Sequence, residues 1–195
     1  MESMDITIII VTWNSAGVIR NCMDSIIQNT GELQPAILLV DNNYSDRTVK
    51  IVEEHYPQVN LIRNKDNRGY AKANNQGIEN SQGEYLLLLN PDTEVLENSL
   101  ISMTQFMEEN PRTGALGPQL LNPDGTVQPS CREFPTYATL LWEFSGLSRF
   151  FPKSKVLGHW RMGYFDFDRT IEVDQPMGSC LLIRRSTLEE IGIFD

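Results

Sequence analysis

Two carboxylates and a handful of amides stand where they could do chemistry. Asp92 follows the run Leu86 to Leu89 within Asn90-Pro91-Asp92-Thr93, and Asp41 follows Ile37 to Val40. Thr12, Trp13 and Asn14 follow the run Ile6 to Val11 in the same way. Four consecutive leucines are too short for a helix of their own and suit a strand covered on both faces. Pro91 then removes a backbone donor, and its polar neighbours cannot continue a buried strand. A carboxylate left at the carboxyl end of a central strand lies where open α/β sheets bind ligands. The same residues also suit an ordinary strand-to-helix turn, with Asp92 or Thr93 near a helix start. Turn chemistry explains less well why Asn14, Asp41 and Asp92 all fall on one rim of a single predicted sheet.

The elements that must position these residues alternate. Ile6–Val11 is β-branched and predicts a buried strand. A helix is expected over 16–29, where Val18, Ile19, Cys22, Met23, Ile26 and Ile27 recur at helical spacing, and Thr30-Gly31 stops it. Ile37–Val40 is a second strand, and Ser45 offers an N-cap for a helix carrying Val49 and Val52. Val59–Ile62 predicts a third strand and 64–69 a polar loop. The helix 70–79 then uses Ala71, Ala73 and Gly77 for close packing. With Leu86–Leu89, four strand–turn–helix units follow one another, which implies parallel strands and right-handed crossovers.

Beyond Asp92, Leu96, Leu100, Met103 and Met107 predict an amphipathic helix closed by Asn110-Pro111. Ala115–Leu121 predicts a strand, and Asn122-Pro123-Asp124-Gly125 a turn into a hairpin strand at Val127. From Phe134 to Phe165 aromatic residues gather among Arg149, Lys153, Lys155 and Arg161, and a helix is expected over 140–151. Packing of that helix on the domain or on a partner is favoured, because the basic residues are few. Peripheral membrane contact through 134–165 is the other reading. A further strand is expected near Glu172–Val173, then Leu181–Ile183, then a helix from Ser186.

Composition narrows the function classes. The chain has 195 residues, 41% apolar and 22% charged, which suits one globular domain with its own core. A net charge of −10 with no clustered Lys and Arg argues against nucleic acid as a partner. It does not argue against nucleotides, which backbone amides and a metal can hold. Cys22, Cys131 and Cys180 show neither metal-ligand spacing nor a disulfide framework, which fits a reducing, cytoplasmic compartment. No run approaches the ~20 apolar residues of a membrane span. TWNSAGVIR lacks the glycines that a nucleotide-sugar pyrophosphorylase would place after its first strand, and no GxGxxG marks a dinucleotide oxidoreductase.

The motifs together resemble family 2 glycosyltransferases of the GT-A fold, nearest to the rhamnosyltransferase-like branch that builds bacterial cell-surface polysaccharides. The matching stretches are IIIVTWNS, LLVDNNYSD, NKDNRGYAKANNQGI, EYLLLLNPDTEV and GSCLLIRRSTLEEIGIFD, in family order across almost the whole chain. The resemblance implies a Rossmann-like α/β fold with a mostly parallel central sheet and helices on both faces. It implies one domain over 1–195, with a nucleotide-binding part over 1–110 and the start of an acceptor-binding part over 111–195.

It also implies roles. Thr12, Trp13 and Asn14 approach the nucleotide of a UDP- or dTDP-sugar donor. Asp41, with Asn42 beside it, matches the carboxylate that accepts the imide N–H of a uracil or thymine ring. Asn67, Gly69 and Asn74 match the loop and helix start that contact base, ribose or diphosphate. Asn90-Pro91-Asp92 sits at the family's DxD position with Asn for the first acid. Asn90 then bonds a ribose hydroxyl, and Asp92 is the ligand for a divalent cation, Mg2+ or Mn2+, that offsets charge on the leaving diphosphate. Gly178 and Ser179 match the acceptor side.

The implied reaction is inverting transfer to a glycan or lipid-linked acceptor, in the cytoplasm or at the inner face of the plasma membrane. The general base is expected after Asp195, which itself matches the acid preceding that motif. On that reading the polypeptide binds nucleotide and turns over poorly. A non-catalytic nucleotide-sugar-binding module of the same fold is the alternative. Sugar, acceptor and oligomeric state stay open.

Overall fold

The computed structural model describes residues 5–42 and 46–195. In chain order the elements are β1 (Ile6–Thr12), α1 (Ile19–Gln28), β2 (Ala36–Asp41), α2 (Thr48–His55), β3 (Asn60–Arg63), α3 (Gly69–Glu79), β4 (Tyr85–Leu89), α4 (Ser99–Glu109) and β5 (Ala115–Leu116). There follow β6 (Leu120–Leu121), β7 (Val127–Gln128), β8 (Cys131–Arg132), α5 (Tyr137–Phe144), α6 (Leu147–Phe150), β9 (Gln175–Pro176), β10 (Cys180–Arg184) and α7 (Arg185–Ile191). Two compact units result. One runs to Leu116 and resumes over Gly178–Asp195, and the other is Gly117–Met177.

The first unit holds a six-stranded sheet in the order β3-β2-β1-β4-β10-β5. Strands β1 to β4 are parallel, as the strand–turn–helix alternation requires. β10 runs antiparallel between β4 and β5. The middle strands are the most apolar: Ile8, Ile9, Ile10, Leu86, Leu87 and Leu88 are all fully buried. That is the pattern of strands covered on both faces. α3 presses close to β1 because Gly77 has no side chain; a Cβ there would lie 2.4 Å from Ile9 Cγ2.

Local differences from the sequence reading have plain causes. α1 begins only at Ile19, after Asn14 takes a left-handed φ of 54° and turns the chain. Val18 and Ile27 sit at the edge of its buried stripe and are exposed. Ser45 lies outside the described residues; near the α2 start Asp46 Oδ1 accepts from Thr48 N at 2.9 Å. Leu96 precedes α4 and is exposed. The strand expected over 115–121 divides: β5 joins the large sheet, whereas β6 pairs with β7 in the second unit. The helix expected over 140–151 starts earlier and breaks at Gly146, whose φ of 77° no regular helix accommodates. The strand expected near Glu172–Val173 appears at Gln175–Pro176, paired with β8.

Candidate functional site

The parallel register decides what shares a rim. Thr12 pairs with Asp41 across β1 and β2, and Ile10 pairs with Leu89 across β1 and β4. The residues that follow these strands therefore emerge at one carboxyl edge. β10 is antiparallel to β4 with Cys180 opposite Leu89, so its leading residues Gly178 and Ser179 arrive at that edge too. Thr12 to Asn14, Asp41-Asn42, Asn90 to Asp92 and Gly178-Ser179 thus line one rim. The strands carrying Asp41 and Asp92 flank β1, two strand spacings or roughly 10 Å apart.

On the β2 side the groups are tightly held. Asp41 is fully buried, and its Oδ1 accepts the Thr12 hydroxyl at 3.0 Å. Asn42 N donates to Thr12 O at 2.8 Å. Its side-chain Nδ2 donates to Gly69 O at 3.1 Å, and its Oδ1 accepts from Asn64 Nδ2 at 3.0 Å. Asn64, itself buried, donates to Gln76 Oε1 at 2.8 Å and accepts from Gln76 Nε2 at 3.0 Å. This network fastens the 64–69 loop to the strand tip. Asn64 was absent from the residues singled out in the sequence, yet it directly follows β3 just as Asn42 follows β2. Trp13 stands exposed beside these groups.

The loop then enters α3. Asn67 Oδ1 accepts from Gly69 N at 2.9 Å, and Gly69 takes a φ of 79° that a side chain would strain. Tyr70 reaches across the rim and donates its hydroxyl to Gly178 O at 2.5 Å. A Cβ on Gly178 would lie 2.9 Å from that hydroxyl oxygen, so the glycine makes room for it. Tyr70 is a second residue that the sequence does not single out, beyond opening the helix over 70–79. Asn74 is buried farther along α3, with its amide on Tyr70 O at 2.9 Å. It braces the helix start from within, whereas Asn67 lies in the loop and Gly69 opens the helix.

On the β4 side, Asn90 N donates to Ser179 O at 2.8 Å, joining the Asn90–Asp92 turn to β10. Thr93 N donates to Asn90 O at 3.1 Å and closes the turn. Asp92 is exposed. Beneath it Cys22 is buried, with Sγ 3.8 Å from Asn90 O. Burial, then the charges of Asp92, Cys180 and Glu94, push the Cys22 thiol up to about 12, and burial pushes Cys180 to about 12. Both stay protonated at neutral pH and act as small apolar packing groups.

A metal at this rim has a definite donor set. Among the described residues no group of three or more His, Cys, Asp or Glu could hold an ion. Asp92 offers one exposed carboxylate, a hard oxygen donor. That fits Mg2+ or Mn2+ taking its other ligands from a bound diphosphate and water, and it does not fit a resident protein-caged ion.

Arg184 and Arg185 lie at the other end of β10 and do not join the rim. Arg184 NH1 donates to Tyr85 Oη at 2.8 Å and NH2 to Met107 O at 2.7 Å. Arg185 Nε donates to Gly83 O at 2.7 Å. Both brace backbone and side-chain groups of the fold there.

Comparison with known proteins places this fold. The family model Glycosyl transferase family 2 matches residues 7–192. The chain is 31% identical over 175 residues to N-acetylglucosaminyl-diphospho-decaprenol L-rhamnosyltransferase of Mycobacterium tuberculosis (strain CDC 1551 / Oshkosh), covering 82% of this chain and 55% of that protein. It is 26% identical over 204 residues to the O-antigen biosynthesis protein RfbC of Myxococcus xanthus, covering 97% of this chain and 14% of that one. Among solved structures, the mannosyltransferase PcManGT from Pyrobaculum calidifontis in complex with GDP-Man and Mn2+ superposes with a TM-score of 0.64 at 19% identity, covering 99% of this chain and 48% of that one. S. aureus TarS 1-349 in complex with UDP-GlcNAc gives 0.62 at 20% identity, covering 98% and 48%. The chain spans about half the length of the rhamnosyltransferase and of these two structures. The fold is that of the GT-A glycosyltransferases, and with a match spanning nearly every residue the chain belongs to glycosyl transferase family 2.

Proposed function

We propose that this rim is the donor site of an inverting glycosyltransferase that takes a sugar from a UDP- or dTDP-sugar. Its acceptor is a glycan or lipid-linked sugar in bacterial cell-surface polysaccharide synthesis. The observation that carries the reading is the pairing of a buried, hydrogen-bonded carboxylate, Asp41, with an exposed one, Asp92, on strands flanking β1. The rhamnosyltransferase and RfbC relatives support the acceptor class, and the UDP-GlcNAc complex of TarS supports the donor class.

Each residue then has a task. Thr12 fixes the Asp41 carboxylate, which accepts the imide N–H of the pyrimidine. Trp13 offers an indole face beside the base. Asn42 and Asn64 hold the loop so that the Gly69 backbone can approach the ribose or diphosphate closely. Asn90 faces the ribose, and Asp92 holds Mg2+ or Mn2+ together with the diphosphate. That ion, when bound, offsets charge growing on the leaving group. Gly178 and Ser179 bound the side from which the acceptor hydroxyl approaches.

Calorimetric titration with UDP, dTDP and GDP, with and without Mn2+, tests this on the wild type and on Asp92→Ala. We expect UDP or dTDP to bind more tightly than GDP, with Mn2+ tightening wild-type binding by tenfold or more, about the 1.4 kcal/mol of one charge-assisted contact. Asp92→Ala should abolish the metal effect. Equal binding of all three nucleotides, or an undiminished metal effect in Asp92→Ala, would reject the reading.

A further inference from the structure

Helices α5 and α6 of the second unit turn large apolar residues outward. On α5 the small polar residue Thr139 is buried, held by a capping box with Thr136 whose hydroxyl accepts from Thr139 N. The exposed stripe is Tyr137, Leu141 and Phe144, at helical spacing along one face. α6 repeats the inversion: Ser148 is buried, while Leu147, Phe150 and the following Phe151 are exposed. Phe144 is 87% exposed, Phe150 78% and Tyr137 95%. Such a cluster of large apolar side chains in water is unfavourable and marks a surface that something covers.

Charge indicates what covers it. Residues 134–165 carry Arg149, Lys153, Lys155 and Arg161 against one acid, Glu143, a net of +3, which leaves −13 on the rest of the chain. Glu143 is engaged: Arg161 donates to it from Nε at 2.9 Å and from NH2 at 2.6 Å. Arg149, Lys153 and Lys155 are exposed and flank Phe150 and Phe151 in the sequence. Protein interfaces deplete Lys at their centre, whereas bilayer interfaces collect aromatic rings together with Lys and Arg. An anionic membrane would repel the acidic remainder and attract this basic, aromatic stretch.

We propose that the α5–α6 face, with Lys153 and Lys155, docks the protein on an anionic lipid bilayer. The aromatic rings enter the headgroup region, and the three basic side chains meet lipid phosphates. This rests on the reading of a lipid-linked acceptor, to which it gives a location. The test keeps the two apart.

Flotation of the chain with phosphatidylglycerol vesicles, against vesicles of phosphatidylcholine alone, measures the docking. The wild type should float with the anionic vesicles only, and less as salt is raised. Lys153→Glu with Lys155→Glu should lower partitioning more than about twentyfold, about fivefold for each charge removed. Phe144→Ser with Phe150→Ser should also abolish flotation. All four side chains are exposed, and unchanged circular dichroism and UDP titration would show that fold and donor site persist. Failure of the wild type to float, flotation that neither variant reduces, or self-association through Phe144 and Phe150 without lipid binding would overturn the proposal. Flotation without UDP binding would support this face and count instead against the donor site.

Discussion

Asp41 is where a single side chain matters most. It is fully buried, yet it stands at a strand tip with the Thr12 hydroxyl on Oδ1. A carboxylate accepts hydrogen bonds about twice as strong as a neutral group accepts, so Asp41→Asn should weaken UDP binding by roughly tenfold or more while the chain still folds. Titration calorimetry on the two proteins checks this. Thr12→Val removes the hydroxyl and leaves Asp41 less well held, with an expected loss of ~1 kcal/mol in urea unfolding. At this scale the sequence displayed Asp41, Asn42, Asn90 and Asp92 because each ends an apolar run. It hid Tyr70, whose bond to Gly178 O spans 108 positions along the chain and depends on β10 arriving antiparallel. Asn64 was legible by the same rule as Asn42 and was overlooked inside a polar loop.

Among the elements, α3 carries the 64–69 loop and its place is set by Gly77. A Cβ there meets Ile9 Cγ2 at 2.4 Å in the middle of β1, where neither the strand nor the helix can yield freely. Gly77→Ala should therefore destabilise the fold by about 1–3 kcal/mol despite alanine's better helix propensity, read as a lower urea midpoint. The four parallel strands and their helices were legible because each is a short apolar run bounded by turn residues. The split of 115–121 between two sheets was not, since Ala115 and Leu120 look alike locally and only β10 and β7 choose between them. The break at Gly146 was legible in principle, but the aromatic periodicity on either side masked it. The antiparallel entry of β10 is a matter of its pairing with β4 and β5, far away in sequence, which no local pattern records.

For the whole molecule, buried ionisable groups shape the response to pH. Burial is the largest cause holding Cys22 and Cys180 near 12 against an ordinary value of 9.0. Tyr85 is raised to about 12 by burial and by its hydrogen bond to Glu108. Each is protonated in the folded chain and ionises more readily once unfolded. Stability is therefore fully present below the unfolded values and is lost as pH rises from about 9 toward 12. Urea melts over that range should show a falling midpoint, and Cys22→Ala should flatten the fall. At the acid side Asp46 acts in the opposite sense. Partial burial raises its pKa, but hydrogen bonds from Thr48 and Ala16 outweigh that and hold it low, so its contribution is lost as pH drops through its folded value. No helix among the described residues is long and apolar enough to cross a membrane. The central claim concerns where a pyrimidine diphosphate rests, and a crystal structure with UDP and Mn2+ tests it most directly. We expect the uracil against Asp41 and Trp13, the diphosphate over β1, and the metal on Asp92. Nucleotide bound away from the carboxyl rim, or a metal held without Asp92, would contradict it.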